Sequence, residues 1–404
     1  MSWAKKFLTE KMAVAVSLFL IGSLHTMIFS FFEYPTNFFV HDLPKNTIIA
    51  LKAVLYISAV IVSFSHQFLC RNIGLKISLA AGLFCNLLGL GALWVNHFVA
   101  PHISLLFFTM VLFGVALTSV INVLITYLII EIPKYLGPAI VVLFCFFNIG
   151  AMLAPLMIHL FKKMENPNLI YHFLSGLSLV AIWFVWRVLD EPVYPRHLQH
   201  LRKGSLIWKE LHYRLGLFFL ALLGYGVTEN TFNLWGFQAI SEKYTPEIAE
   251  KAVSAFWLFL IIGQVTLLIP IFIFAMRWIY YILLSGIVAT LVLLAQHESL
   301  AAFLSLLMIG GFCCSVNSPL LISIMEKEIS LFASGSRLLP YVETTVSVLI
   351  AGYFIGVGII DLWVEIFEEF HIFTTAQHFY FAIPFIFCTA VFSFYLLNTR
   401  PSAR

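Results

Sequence analysis

The sequence predicts an all-α polytopic membrane protein with twelve transmembrane helices in two six-helix halves. Three observations carry this. Of 404 residues, 61% are hydrophobic and only 11% charged, against about 45–50% and about 25% in soluble domains. Mean hydropathy is +0.97, and a soluble chain of this kind would expose very large apolar patches. The apolar residues also fall into runs of about 20, the length that crosses a bilayer. A soluble enzyme, a disordered chain and a secreted disulfide scaffold are excluded.

Twelve segments follow in order: 12–33, 47–69, 76–96, 103–130, 136–161, 168–188, 215–240, 252–275, 278–296, 300–325, 338–362 and 378–397. The first is too long and ends too polar for a cleaved signal, so it reads as a retained helix. The longest interruption, 189–214, is basic and polar. It divides the chain into a first half (1–188), a linker (189–214) and a second half (215–404), the layout of a duplicated transporter. A weak repeat agrees with duplication. GVALTSVINVLI from Gly114 and GGFCCSVNSPLL from Gly310, each the fourth segment of its half, share Gly, Ser-Val and Leu at equal offsets.

Basic residues set the orientation. With the N-terminus in the cytoplasm, seventeen of the 23 Lys and Arg fall on the inner side and six on the outer. Both termini are then cytoplasmic, and the stretch Asp361–Glu369 forms an acidic outer loop. Short loops without N-x-S/T sequons point to a bacterial inner membrane. A net charge of +3 without a dense basic block speaks against nucleic acid as a partner. Cys70, Cys85, Cys145, Cys313, Cys314 and Cys388 lie in or beside apolar runs and read as small hydrophobes, not as ligands or disulfides. No metal or cofactor is expected.

Ionisable side chains inside a span are costly and usually face a cavity or a partner. Glu229 lies near the middle of segment 7, and helical spacing puts Tyr225 and Asn233 on its face, with Thr228 and Trp235 beside it. This stripe suits a binding cavity, and Glu229 is the candidate proton carrier; the plainer reading is a structural Glu bonded to a neighbouring helix. His25, in segment 1, is either a switchable group or a neutral ring bonded to a backbone carbonyl. Lys52, near the outer end of segment 2, either snorkels to headgroups, faces an anionic solute, or pairs with Glu33. Glu343 opens segment 11 as a solvated helix-start acid or as a partner of Arg337 or Arg71 across the inner gate. Asn122, Asn148, Asn317 and Gln264 can bond a hydroxylated solute or another helix, with packing favoured for Asn148. Trp235 and Trp257 are candidate stacking platforms.

Several segments resemble the major facilitator superfamily. QFLCRNIGLK, Gln67 to Lys76, is similar to its motif G-x-L-x-D-R-x-G-R-K at Leu69, Gly74 and Lys76. Arg71 replaces the motif's Asp. FNIGAMLAP, Phe147 to Pro155, resembles N-S-L-G-A-x-L-G-P of the fucose/glucose/galactose:proton symporters at Asn148, Gly150, Ala151, Leu153 and Pro155. Asn122 stands where those symporters have the Asn of A-A-N, and Glu229 and Trp235 are six apart as in Y-x-G-x-E-x(5)-W. The resemblance implies alternating access; together with the residues read above, it gives a candidate cytoplasmic gate at Arg71, Gly74, Lys76 and Glu343, and a candidate solute/proton pathway through Glu229, Tyr225, Asn233, Trp235, His25, Asn122, Lys52 and Asn317. That subgroup carries an Asp in segment 1 and a Glu in segment 4, where this chain has Phe29 and Thr118, so its proton site and sugar specificity do not transfer.

The expected function is secondary active transport, coupled to protons, of a small polar solute such as a sugar, by a monomer in lipid. The alternative is an anionic or amphiphilic metabolite such as a carboxylate siderophore. An intramembrane enzyme would need clustered His and acids; there is no H-E-x-x-H and no Ser/His dyad on a shared face.

Overall fold

The structure, a computed structural model, describes residues 2–33, 43–99, 101–131, 136–164, 167–190, 206–267, 276–297, 299–322, 324, 339–370 and 378–398. The regular structure among them is helical. In chain order the helices are α1 (Ser2–Glu33), α2 (Lys45–Ile73), α3 (Leu75–Phe98), α4 (Ile103–Glu131), α5 (Leu136–Lys163) and α6 (Pro167–Val188). Then come α7 (Leu206–Asn230), α8 (Gly236–Lys243), α9 (Pro246–Leu267), α10 (Met276–Leu294), α11 (Leu300–Cys314), α12 (Leu339–Phe370) and α13 (His378–Asn398).

Ten stretches of helix are long and apolar enough to cross a membrane, and α1 and α10 add the shorter apolar runs Val14–Ser30 and Trp278–Leu294. In hydrocarbon each backbone N–H and C=O must find its partner within the chain, and the helix supplies it. The outward faces carry exposed Phe64, Phe68, Trp183, Trp278, Ile282 and Phe387, a surface suited to lipid. The protein is a multi-pass membrane protein.

Two differences from the sequence reading bear on the site. α7 begins at Leu206, within the stretch read as linker, so 206–214 is helical. Asp361, read as the start of an outer loop, lies inside α12, which runs on to Phe370. α7 and α8 form one rod joined by a π turn, Thr231–Trp235. Such a turn widens the helix by one residue and often marks a functional position.

Helix contacts repeat along the chain. α1 packs on α5 and α6, α3 on α4 and α6, and α2 on α4; correspondingly α7 packs on α12 and α13, α10 on α11 and α13, and α9 on α11. The first six helices meet the later ones chiefly where α2 lies on α12 and α5 on α9. The crossings correspond residue by residue. A Cβ at Gly150 of α5 would lie 2.2 Å from the Ser23 carbonyl oxygen, and one at Gly356 of α12 the same 2.2 Å from that of Leu223. The same two Cβ atoms would approach the backbone nitrogens of Met27 and Val227. Positions 23 and 27 of α1 thus correspond to 223 and 227 of α7. The repeat in the fourth segments holds with a shift of one residue. Gly114 packs on the Leu55 carbonyl, and Gly311 rather than Gly310 packs on that of Phe256.

Candidate solute and proton site

A cavity of about 100 Å³ lies between the two sets of helices. A water needs roughly 10–15 Å³ of such space, so it accommodates several waters or one small solute. α1, α4 and α5 form one wall; α7, α9, α12 and the residues following α11 form the other. Much of the surface is apolar, and the polar groups cluster on the α7 side.

Glu229 is the acid of this cavity. Tyr225, one turn earlier on α7, donates its hydroxyl to Oε2 of Glu229. Tyr353 of α12 donates to Oε1 at 2.5 Å. Both carboxylate oxygens therefore accept a hydrogen bond, an arrangement that suits the ionised form, which is acceptor-only. Tyr225 also reaches the Cys314 carbonyl at 3.2 Å. α7 can approach α12 this closely because Gly226 faces the Tyr353 carbonyl, where a Cβ would lie at 2.4 Å. Asn230 follows, its Nδ2 donating to the Val357 carbonyl at 3.1 Å. Asn233 lies in the π turn and also lines the cavity.

Across the cavity, Asn148 of α5 donates to Oε1 of Gln264 of α9 at 2.8 Å, so two amides join the two walls. Asn148 thus bonds another helix, and it also lines the cavity. Trp257 lines the same space, and its indole N–H has no hydrogen-bond partner among the described residues.

The other sequence candidates lie elsewhere. His25 is buried among α1, α3 and α4: Nε2 is 3.3 Å from the Leu117 carbonyl, and Asn86 Nδ2 is 2.9 Å from Nδ1. This is the carbonyl-bonded arrangement; Nδ1 accepts from the amide and Nε2 donates. Trp235 stacks on His378 with ring centroids 3.7 Å apart and is outside the cavity wall. Asn122 donates to Ser63 Oγ at 3.1 Å, and Asn317 to the Cys314 carbonyl at 3.3 Å; neither reaches the cavity. Lys52 pairs with Asp361 at 2.9 Å, and Tyr56 donates to the other Asp361 oxygen at 2.8 Å. This cluster holds α2 to α12. At the same end of the bundle, His159 of α5 lies 3.9 Å from Glu250 of α9.

In the expected gate, Gly74 adopts φ 87° and ψ 160° between α2 and α3, a conformation open essentially to glycine alone. Lys76 Nζ donates to the Trp186 carbonyl at 3.4 Å. The side chains of Arg71, Glu343 and Glu33, and all of Arg337, lie outside the described residues. Among the described residues no group of three or more His, Cys, Asp or Glu comes together to hold a metal.

Sequence reasoning missed Tyr353, Asn86 and Asp361. Asp361 had a signal: it is a lone acid within the apolar run GVGIIDLWV.

No protein-family model matches the sequence, and no curated protein matches it. Solved structures do match. An alanine variant of the E. coli fucose:proton symporter FucP aligns with a TM-score of 0.66 over 98% of this chain and 100% of that one, at 14% identity. A major facilitator superfamily transporter, FucP in the outward conformation, aligns with a TM-score of 0.68 over 97% and 100%, again at 14% identity. The fold is that of the major facilitator superfamily. At this identity the likeness is one of fold. Within the major facilitator fold, the cavity lies where the two helix sets face each other, and Glu229 reaches it from the second set.

Proposed function

We propose that this protein is a proton-coupled secondary active transporter whose two six-helix halves, 1–188 and 215–404, rock about the central cavity. The supporting observation is the carboxylate of Glu229, buried in that cavity and held through both oxygens by Tyr225 and Tyr353. Taking up a proton turns one oxygen into a donor and disturbs a tyrosine bond. Protonation at Glu229 is thereby linked to the packing of α7 against α12. In this reading both termini lie in the cytoplasm, which the basic-residue split supports, the short loops suit a bacterial inner membrane, and the chain works as a monomer. Lys52–Asp361 then clasps the outer ends of α2 and α12.

The solute in this reading is small and polar, with sugar-like hydroxyls. Asn148, Gln264, Asn230 and the Trp257 indole N–H supply hydrogen bonds, and the aromatic walls take its apolar faces. The carboxylate-siderophore alternative gains no support, because no Lys, Arg or His is among the cavity-lining residues described.

The test is Glu229→Gln in proteoliposomes. Gln bonds but cannot titrate, so accumulation against a gradient falls at least tenfold and what remains no longer follows the proton gradient (roughly 1.4 kcal/mol or more of lost driving force). Full uphill transport by a well-expressed variant removes Glu229 as the coupling site.

A further inference from the structure

We propose that the solute is a small organic cation: a hydroxylated amine, such as an amino sugar or amino alcohol, whose ammonium sits on Glu229. The assignment rests on the transporter reading and narrows its solute.

The argument begins with charge. Among the cavity-lining residues described, Glu229 is the sole acid and no base faces it. A neutral solute would leave the ionised carboxylate with only tyrosine hydroxyls for company, and an anion would meet repulsion in a region of low dielectric. A monocation balances the site. Two basic side chains read as candidates for the pathway are engaged elsewhere: Lys52 with Asp361, and His25 with Asn86 and the Leu117 carbonyl.

The walls agree. Phe29, Phe144, Phe147, Trp257, Tyr353 and Phe354 line the space. Aromatic faces attract cations as well as apolar groups. Hydroxyls on the solute have partners in the Trp257 N–H and in the Asn148 and Gln264 amides, which bond each other across the cavity. An ammonium and a proton would compete for one carboxylate, so inward protons exchange for outward amine, or the reverse. Binding and release only move a proton or an ammonium between water and Glu229, so charge balances at each step.

The experiment uses the full chain in detergent, with Ser318→Cys on the cavity wall and the parent chain labelled in parallel to account for native thiols. Cationic aminoethyl, neutral hydroxyethyl and anionic sulfonatoethyl methanethiosulfonates are compared, each rate divided by that for a free thiol. The cationic reagent should exceed the anionic one by about tenfold or more, and Glu229→Gln in the same background should erase most of that ratio. Glucosamine should then slow labelling at concentrations where N-acetylglucosamine and glucuronate do not. Equal rates for the two charged reagents, or protection by the neutral or anionic sugar matching that by glucosamine, overturns the cation assignment and leaves the transporter reading standing. Protection by none of the three overturns the hydroxylated-amine assignment. Failure of all three reagents to react means the cavity takes no solute, and overturns both readings together.

Discussion

α1 and α7 occupy corresponding places in the two helix sets, yet they do different work. Both cross a partner helix at a glycine, Gly150 or Gly356, with the same 2.2 Å approach to a carbonyl. In that correspondence His25 matches Tyr225, Phe29 matches Glu229 and Ser30 matches Asn230. The last two pairs all line the cavity. In α1 the polar group, His25, is turned away into a bond with Asn86, and the cavity position is a phenylalanine. In α7 the polar groups face the cavity. The symporter resemblance puts an acid at the position of Phe29, whereas this chain has its acid at the matching place on the other side. The helix crossings repeat, and the acid with its two hydroxyl donors lies on the second set alone among the cavity-lining residues. A shared backbone crossing depends on small residues and tolerates little change, while the side chain one turn away is free to diverge.

The largest expected effect tests the shared scaffold. Gly150→Leu and Gly356→Leu each force a side chain against a backbone carbonyl that cannot yield by rotamer change. Overpacking costs about 1–3 kcal/mol and more where backbone must move. Both variants should lose most monodisperse protein by size exclusion, to a similar degree. Wild-type yield from either one would break the correspondence between the crossings.

The next effect tests the divergent chemistry. The double variant Phe29→Glu with Glu229→Gln moves the acid to its matching place. At Phe29 the positions matching Tyr225 and Tyr353 are His25 and Phe147, so the hydroxyl donors are missing. An acid buried there without donors costs several kcal/mol if ionised and stays neutral instead. Gradient-driven uptake should remain lost. Recovery of uphill transport would show that position alone, without the tyrosines, makes a coupling site.

The same contrast explains what the sequence disclosed. Tyr225 and Glu229 share a face by helical spacing, and the composition and segment count reveal the membrane fold. Tyr353 was hidden, because its bond to Glu229 spans 124 positions and nothing local separates it from the other aromatic residues of α12. Asn86, which settles the orientation of His25, was hidden for the same reason. The six-residue spacing of Glu229 and Trp235 suggested a shared site, but the π turn between them breaks the helical period. Trp235 instead stacks on His378. Lys52 was legible as costly, but its partner was not, since Asp361 had been read as part of a loop.

A smaller effect concerns the seam between the helix sets. The Lys52 and Asp361 side chains are 17% and 5% exposed, so removing one leaves the other partly buried. Asp361→Leu alone should lower stability by about 1–3 kcal/mol, less than for a fully buried pair. Adding Lys52→Met should restore part of it, because the pair no longer needs desolvation while the Tyr56 hydroxyl still lacks Asp361 as acceptor. Thermal unfolding of the four members of the cycle measures the coupling. An additive result would mean that the pair does not hold α2 to α12.

The smallest effect on coupling falls on His25, where the two helix sets differ in outcome. Its ring bonds the Asn86 amide and the Leu117 carbonyl, and His25 is not itself among the cavity-lining residues. His25→Gln keeps a donor and an acceptor but changes their reach, so stability should fall by about 1 kcal/mol. Exchange and accumulation should fall together, by less than about threefold, following the amount of folded protein. His25→Leu leaves Asn86 with a buried amide to satisfy and should cost more, about 1–3 kcal/mol, again with the two activities moving in step. A histidine that carried protons would behave otherwise: exchange would survive in both variants while accumulation failed. That split, measured in one set of proteoliposomes, would move the coupling site into α1 and undo the contrast between the two helix sets.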